Sequence, residues 1–163
     1  MRLFLLRHGT ADPRGGPGPD EDRALVAKGK EQCRQAARLL ARVGREPGAI
    51  LSSPYRRALD SAEVVAKTLG WDQPITVEPS LAPGAPAAAA CQAILSPSNL
   101  ASETVLVVGH EPLLSSLAGH LLDCPGLGLD LRKGGVIELR ILVEPRPQGI
   151  LVGVLRPGHL RRV

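Results

Sequence analysis

Residues 1–6 form a short apolar run, centred on Leu3-Phe4-Leu5-Leu6, that stops abruptly at Arg7-His8-Gly9. Such a run, too short for a helix and ended by polar residues, predicts a buried strand entering a loop. The stretch Asp12–Asp22, with Gly-Gly-Pro-Gly-Pro at 15–19, predicts an irregular loop. From about Ala27 the apolar positions change period. Cys33, Ala36, Ala37, Leu40 and Ala41 recur at i, i+3, i+4, i+7 and i+8, one face of a helix, with Gly44 as its expected stop. Ala49–Ser52 reads as a second strand. Ser53-Pro54 then reads as the N-cap and first residue of a second helix. Its inward stripe is Ala58, Ala62, Val65, Ala66 and Leu69, closed by Gly70. Ile75–Val77 is a third strand, and the Ala/Pro-rich stretch 82–97 predicts one short helix near Ala87–Leu95. Thr104–Val108 has the unbroken β-branched character of a central strand. It runs into Gly109-His110-Glu111-Pro112, where Pro112 suits the first turn of a helix that turns Leu114, Leu117, Ala118 and Leu121 inward. Two last strands, Val136–Val143 and Ile150–Leu155, are joined by a Pro-containing turn.

Strands alternating with helices predict an α/β fold, a three-layer α/β/α sandwich around a mostly parallel sheet. At 163 residues, with no repeat and no linker, the chain is expected to form a single domain over 1–163. Hydrophobic residues make up 44% and charged residues 22%, which excludes a disordered chain. Aromatics are only 2% (Phe4, Tyr55, Trp71), so Leu, Val and Ala must fill the core. That scarcity argues against a nucleic-acid partner read by stacked bases. No apolar run approaches the roughly 20 residues that span a bilayer, so no membrane association is expected. Leu3–Leu6 is also too short for the core of a signal peptide, so the expected location is cytoplasmic. The three cysteines, Cys33, Cys91 and Cys124, include no close pair and predict neither a disulfide framework nor a metal site.

The net charge is +4, and 16 of the 20 basic residues are arginine. Arginine grips phosphate and carboxylate bidentately, so the balance tilts the partner towards an anion. Three times a strand ends and polar residues follow at once: Arg7-His8-Gly9, Ser52 to Arg57, and Gly109-His110-Glu111. In an open α/β sheet the carboxyl ends of the strands are where ligands bind. Two histidines and two arginines can therefore converge there, beside a helix N-terminus that favours an anion. A phosphoryl group suits such a site, with arginines on its oxygens and a histidine attacking phosphorus. Arg56, His120 and the basic tail (Arg156, His159, Arg161, Arg162) read as solvated or rim positions.

At these residues the sequence resembles the histidine phosphatase superfamily, and within it the small SixA-type phosphohistidine phosphatases, which have a phosphoglycerate mutase-like fold. Leu5-Leu6-Arg7-His8-Gly9-Thr10-Ala11 resembles the RHG signature in its strand-then-loop context. Asp22-Arg23-Ala24-Leu25 with Lys28-Gly29 and Gln32 is similar to the segment entering the first helix. Ser53-Pro54-Tyr55-Arg56-Arg57-Ala58 through Ala62 is similar to the S-P-x-x-R-A-x-x-T-A stretch. Val107-Val108-Gly109-His110-Glu111-Pro112 resembles the second-histidine motif, and Lys133-Gly134-Gly135 is typical of the short members.

The resemblance implies a catalytic set of His8 as nucleophile, Arg7 and Arg57 as clamps on the phosphoryl oxygens, and His110 as stabiliser of transition-state charge. Gly9 and Arg23 join Arg7 and Arg57 as the expected substrate-binding residues. No cofactor and no metal are expected. Three departures from the family pattern stand out. Val26 replaces the threonine before the first helix, so that helix loses its N-cap, while Ser61 replaces a threonine conservatively. Many relatives acting on small molecules carry a glutamate near Leu81-Ala82-Pro83-Gly84, but this chain has no acid between Glu78 and Glu103. Displacing an alkoxide needs a proton donor, whereas imidazole, protonated near pKa ~6.5, leaves far more easily. A phosphorylated protein bearing phosphohistidine is therefore the favoured partner, and a small phosphorylated metabolite the alternative, with Asp12, Asp20, Asp22 or Glu78 as the acids the fold can bring in. A third reading is an inactive module that binds phosphorylated partners.

Overall fold

A computed structural model describes residues 1–13, 18–44, 46–142 and 147–156. Six strands form one sheet in the order β3-β2-β4-β1-β5-β6. They are β1 (Arg2–Arg7), β2 (Ala49–Ser52), β3 (Thr76–Val77), β4 (Thr104–Gly109), β5 (Val136–Leu142) and β6 (Gln148–Leu155). The first four run parallel, and β5 and β6 close one edge antiparallel. Five helices accompany them: α1 (Ala27–Arg42), α2 (Arg56–Leu69), α3 (Ala87–Ile94), α4 (Pro97–Leu100) and α5 (Leu113–Leu121).

The period-2 alternation of the central strands divides the core in two. Phe4, Leu6, Ile50, Leu106 and Val108 face α1 and α2, meeting Cys33, Ala36, Ala37 and Leu40 from α1 and Ala58, Ala62 and Val65 from α2. Leu3, Leu5, Leu51, Val105 and Val107 face the other way, onto Ile94 of α3 and Leu114, Leu117 and Ala118 of α5. Both sheet faces are covered, which is why β1 and β4 read as unbroken apolar runs. The three layers are those expected. Each fully buried Leu, Val or Ile stabilises this arrangement by about 1.5–3 kcal/mol, so an aromatic-poor core suffices.

The differences from the sequence expectations are local. Ala41 lies on the exposed side of α1, and Gly29 takes the first inward position instead. α2 begins at Arg56 with Tyr55 as its N-cap, not at Pro54 with Ser53. Pro112 is the N-cap of α5, one residue ahead of the first turn. The 97–100 turn, started by Ser96-Pro97, adds a short helix that the Ala/Pro composition hid. The α1 N-cap, Val26, makes no side-chain cap bond. Residues 143–146 of the predicted Pro-containing turn, and His159, Arg161 and Arg162 of the basic tail, lie outside the described residues. No helix among the described residues is long and apolar enough to cross a membrane.

Candidate active site

Strand register builds the site. Arg7, the last residue of β1, pairs with Gly109, the last of β4, and Ser52 of β2 pairs with Val108. The bonds His8 N–H to Gly109 O (3.0 Å) and Ser53 N–H to Val108 O (3.0 Å) carry the register one step beyond the sheet. His8, Ser53 and His110 therefore leave three adjacent strands at one level. The His8 and His110 rings lie 5.0 Å apart between centroids. Tyr55 meets His110 edge-on at 5.3 Å, and the Arg57 guanidinium carbon sits 4.8 Å from the Tyr55 ring centroid.

The loop after His8 is seated by contact between glycine backbones. A Cβ on Gly9 would stand 2.4 Å from the Gly29 carbonyl oxygen, so only glycine lets α1 approach this closely. The Gly9 N–H donates to Ser61 Oγ (3.1 Å), and that hydroxyl donates to the Arg57 carbonyl (2.6 Å). One small side chain of α2 thus ties the His8 loop to the turn that carries Arg57. Thr10 is fixed in turn by Gln32, whose Oε1 accepts from its N–H and its hydroxyl.

His8 Nδ1 lies 2.7 Å from the Gly9 carbonyl oxygen. A carbonyl only accepts, so Nδ1 carries the proton and Nε2 keeps its lone pair. Burial pulls the His8 pKa down to about 4, helped by Arg57, Arg7 and Lys133. Burial first, then His8 and Arg57, pull His110 down to about 3. Both rings are neutral at pH 7. His110 Nε2 is bonded to Ser53 Oγ (2.8 Å), while its Nδ1 is buried and unpartnered. The Ser53 hydroxyl, read from sequence as a helix cap, accepts the Tyr55 N–H (3.3 Å) ahead of α2 and is shared with this histidine.

Arg7 donates through Nη1 to the Leu131 carbonyl (2.7 Å), and its Nε is buried without a partner. Its backbone is bracketed by Gly134 and Gly135, with Gly134 N–H to Arg7 O and Arg7 N–H to Gly135 O both at 3.0 Å. Lys133 is thereby held beside Arg7. Burial, then Arg7, Arg23, Arg57 and Lys28, hold its ammonium below the usual lysine range. Arg57 is buried and is met by Asp20, which also takes a bond from Arg23.

The acids sort differently from one another. Asp12 and Asp22 are exposed, and Glu78 spends its carboxylate capping the Ser80 N–H (2.9 Å). Asp20 reaches the site, but its bonds to Arg23 and Arg57 hold its pKa below the usual carboxylate range. Glu111 is the acid that counting residues 78–103 passed over. It adjoins His110, and burial raises its carboxyl pKa. No group of three or more His, Cys, Asp or Glu that could hold a metal ion occurs among the described residues. Arg56 and His120 are exposed.

Two buried histidines with lowered pKa make stability depend on acid. Each binds its proton less readily folded than unfolded, so the unfolded chain holds more protons between about pH 4 and 6.5. Their contribution is complete above pH 6.5 and is lost as pH falls through that window. For His8 the loss between pH 7 and pH 5 is about 2 kcal/mol, or roughly 4–8 °C in melting temperature. Thermal melts of wild type and His8→Ala should show a shallower acid slope in the variant. Equal slopes would mean His8 is not held neutral by its surroundings.

A family model, the histidine phosphatase superfamily (branch 1), matches residues 3–82. The phosphohistidine phosphatase SixA of Escherichia coli (strain K12) is 30% identical over 126 residues, spanning 77% of this chain and 76% of that protein. The chain belongs to the histidine phosphatase superfamily. An uncharacterized protein of Picosynechococcus sp. is 35% identical over 142 residues, covering 86% of this chain and 85% of its own. Among solved structures, the protein histidine phosphatase SixA complexed with tungstate superposes with a TM-score of 0.87 at 25% identity, over 98% of this chain and 99% of that one. The superfamily's fold and phosphatase chemistry therefore apply to this chain. The superfamily also includes a glucosyl-3-phosphoglycerate phosphatase from Mycolicibacterium vanbaalenii, 38% identical over 82 residues, 49% of this chain and 35% of that protein. Membership alone thus leaves protein and small-molecule substrates both open.

Proposed function

We propose that the chain removes phosphate from phosphohistidine on a protein, passing the phosphoryl group through His8. The observation that carries this reading is the His8 ring: neutral, fixed by the Gly9 carbonyl at 2.7 Å, with Nε2 free among Arg7, Arg57 and His110. In the first step His8 Nε2 attacks phosphorus and the substrate P–N bond breaks. The substrate ring, protonated on its other nitrogen, leaves as neutral imidazole. Phospho-His8 keeps its Nδ1 proton against Gly9 O, so it too is a cationic ring with a neutral leaving group. Water then attacks phosphorus, the P–Nε2 bond breaks, and its electron pair returns to Nε2. Neither step needs a side-chain acid.

Charge that builds on the equatorial oxygens is met by Arg57 and by the two partnerless nitrogens, Arg7 Nε and His110 Nδ1. An arriving phosphoryl dianion also offsets the burial and the cations that keep His110 neutral, and so favours the imidazolium form that stabilises that charge. Arg23, half-buried beside Asp20, is the further substrate contact, while Gly9, whose N–H and carbonyl are engaged by Ser61 and His8, seats the loop rather than the substrate.

The preference for P–N over P–O substrates rests on the acids. Glu78 is committed to a turn, and Asp20 is ionised by two arginines. The deciding experiment is phosphate release from a phosphohistidine protein and from a panel of phosphoesters without added metal. Turnover of the P–N substrate at least about 100-fold above any ester is expected. Comparable ester rates would move the substrate to small phosphorylated metabolites. Glu111, whose carboxyl is shifted towards its protonated form, is the acid to test in that case, by loss of ester turnover in Glu111→Gln. Phosphate binding with no turnover of any substrate would leave a module that only binds.

A further inference from the structure

Asp20 occupies a place in this site that proton transfer does not explain. It opens the 3-10 turn Asp20–Asp22, and it grips Arg57 twice. Arg57 Nη1 donates to its backbone carbonyl (2.7 Å) and Nη2 to its Oδ2 (3.0 Å). The other carboxylate oxygen accepts from Arg23 Nη1 (2.7 Å), and Arg23 Nε donates to the Asp12 carbonyl (2.7 Å). Beneath them, the Asp12 N–H donates to the Ala24 carbonyl (3.1 Å) and Ala11 pairs with Leu25. The turn is thus tied to the frame of the domain.

Arg57 needs such a holder. Its long side chain leaves the first turn of α2 and ends among Arg7, Arg23 and Lys133, all of which repel it. Stacking on Tyr55 limits the tilt of the guanidinium but not its rotation in plane. A carbonyl and a carboxylate, one on each terminal nitrogen, fix that rotation. They use two of five N–H groups and leave three for a ligand. The bonds to Arg23 and Arg57 also keep Asp20 ionised, which suits a holder and disqualifies a proton donor.

We infer that Asp20 is a positioning residue for the phosphoryl clamp, setting the plane in which Arg57 presents its remaining N–H groups to the phosphoryl oxygens. The inference rests on Arg57 being that clamp. A carboxylate at the same place can have the opposite effect, as an anion that the phosphoryl group must displace. The two differ in sign, and that makes them separable.

The experiment is a double-mutant cycle on the full chain: wild type, Asp20→Ala, Arg57→Ala and the double variant. It reads kcat and KM on a phosphohistidine protein, and the affinity for inorganic phosphate by titration calorimetry. Asp20→Ala is expected to weaken phosphate binding and lower kcat by about tenfold each, and to change either by less than about twofold once Arg57 is gone. Asp20→Asn, which keeps an acceptor oxygen at Arg57, should recover part of the loss, and it serves as the probe if the alanine variant does not fold. Tighter phosphate binding in Asp20→Ala would overturn the inference in favour of a competing anion. An equal loss in both backgrounds would overturn it in favour of a general role in folding. Wild-type behaviour of Arg57→Ala alone would remove the clamp itself, and the inference with it.

Discussion

His8→Ala should lose phosphohistidine turnover by at least about 10⁴-fold, with the fold intact. Of the two site imidazoles, His8 is the one whose tautomer the structure fixes: Gly9 O accepts the hydrogen bond from Nδ1–H, so Nε2 can attack without first giving up a proton. Its pKa near 4 keeps that lone pair available across the physiological range, where a free histidine would be partly protonated. The fold should tolerate the change because His8 carries only that local bond to its neighbour, while its backbone N–H to Gly109 O remains. The variant should still bind inorganic phosphate, since Arg7 and Arg57 are untouched. Quenching wild-type turnover at alkaline pH, where a phosphoramidate survives, should reveal one acid-labile phosphoryl group per chain, absent from His8→Ala. Turnover retained in the purified variant would sink the nucleophile assignment. His110→Ala, by contrast, should leave a labelled His8, since the proposed route places the phosphoryl group on His8.

The legible and illegible parts of this site differ in one physical respect. Arg7, His8 and His110 follow continuous apolar strands, so the chain's own pattern says where each strand stops. Register between parallel neighbours then sets the level at which the next residue emerges, and Arg7 opposite Gly109 is enough to put the two rings together. Arg57 was readable for the same reason, since Ser52 ends β2 and α2 starts within a few residues. The roles of Ser53 and Asp20 depend on partners far along the chain, and no local pattern encodes those. Ser53 has the composition and place of an N-cap and does accept the Tyr55 N–H, but the regular helix starts at Arg56 and a histidine 57 positions later shares its hydroxyl, which no local pattern shows. Asp20, in a loop of prolines and glycines, is one of four acids the sequence offers as a proton donor, and only its bonds from two arginines single it out as an ionised partner of Arg57. Lys133 stands out in the sequence only within Lys133-Gly134-Gly135, typical of the short family members. Its place beside Arg7 follows from the two backbone bonds that lace the 134–135 turn to the end of β1. Glu111 stands outside the interval where relatives carry their glutamate, and it is burial beside His110, invisible in the sequence, that shifts its carboxyl.

Arg57→Ala should slow turnover by about 10²–10³-fold and weaken inorganic phosphate binding, the second largest effect in the site. A guanidinium that is itself buried acts where water screens little, so each charge-assisted bond to a phosphoryl oxygen counts for more than at the surface. Arg57 is 6% exposed, and its substitution removes a fixed charge that two histidines feel. With it gone, His8 and His110 should titrate higher, because Arg57 is among the causes that lower both. The acid limb of kcat/KM should therefore move towards neutral pH in Arg57→Ala as well as dropping in height. Arg57→Lys keeps the charge but not the fork, so it should hold the pH limb near its wild-type position while recovering little of the rate. Arg56 is the internal control: it is adjacent, equally charged and exposed, so Arg56→Ala should change the rate by less than about threefold. If Arg56→Ala were the damaging substitution and Arg57→Ala the silent one, the clamp would belong to the exposed arginine. The bonds from Arg57 to Asp20 would then serve only the loop.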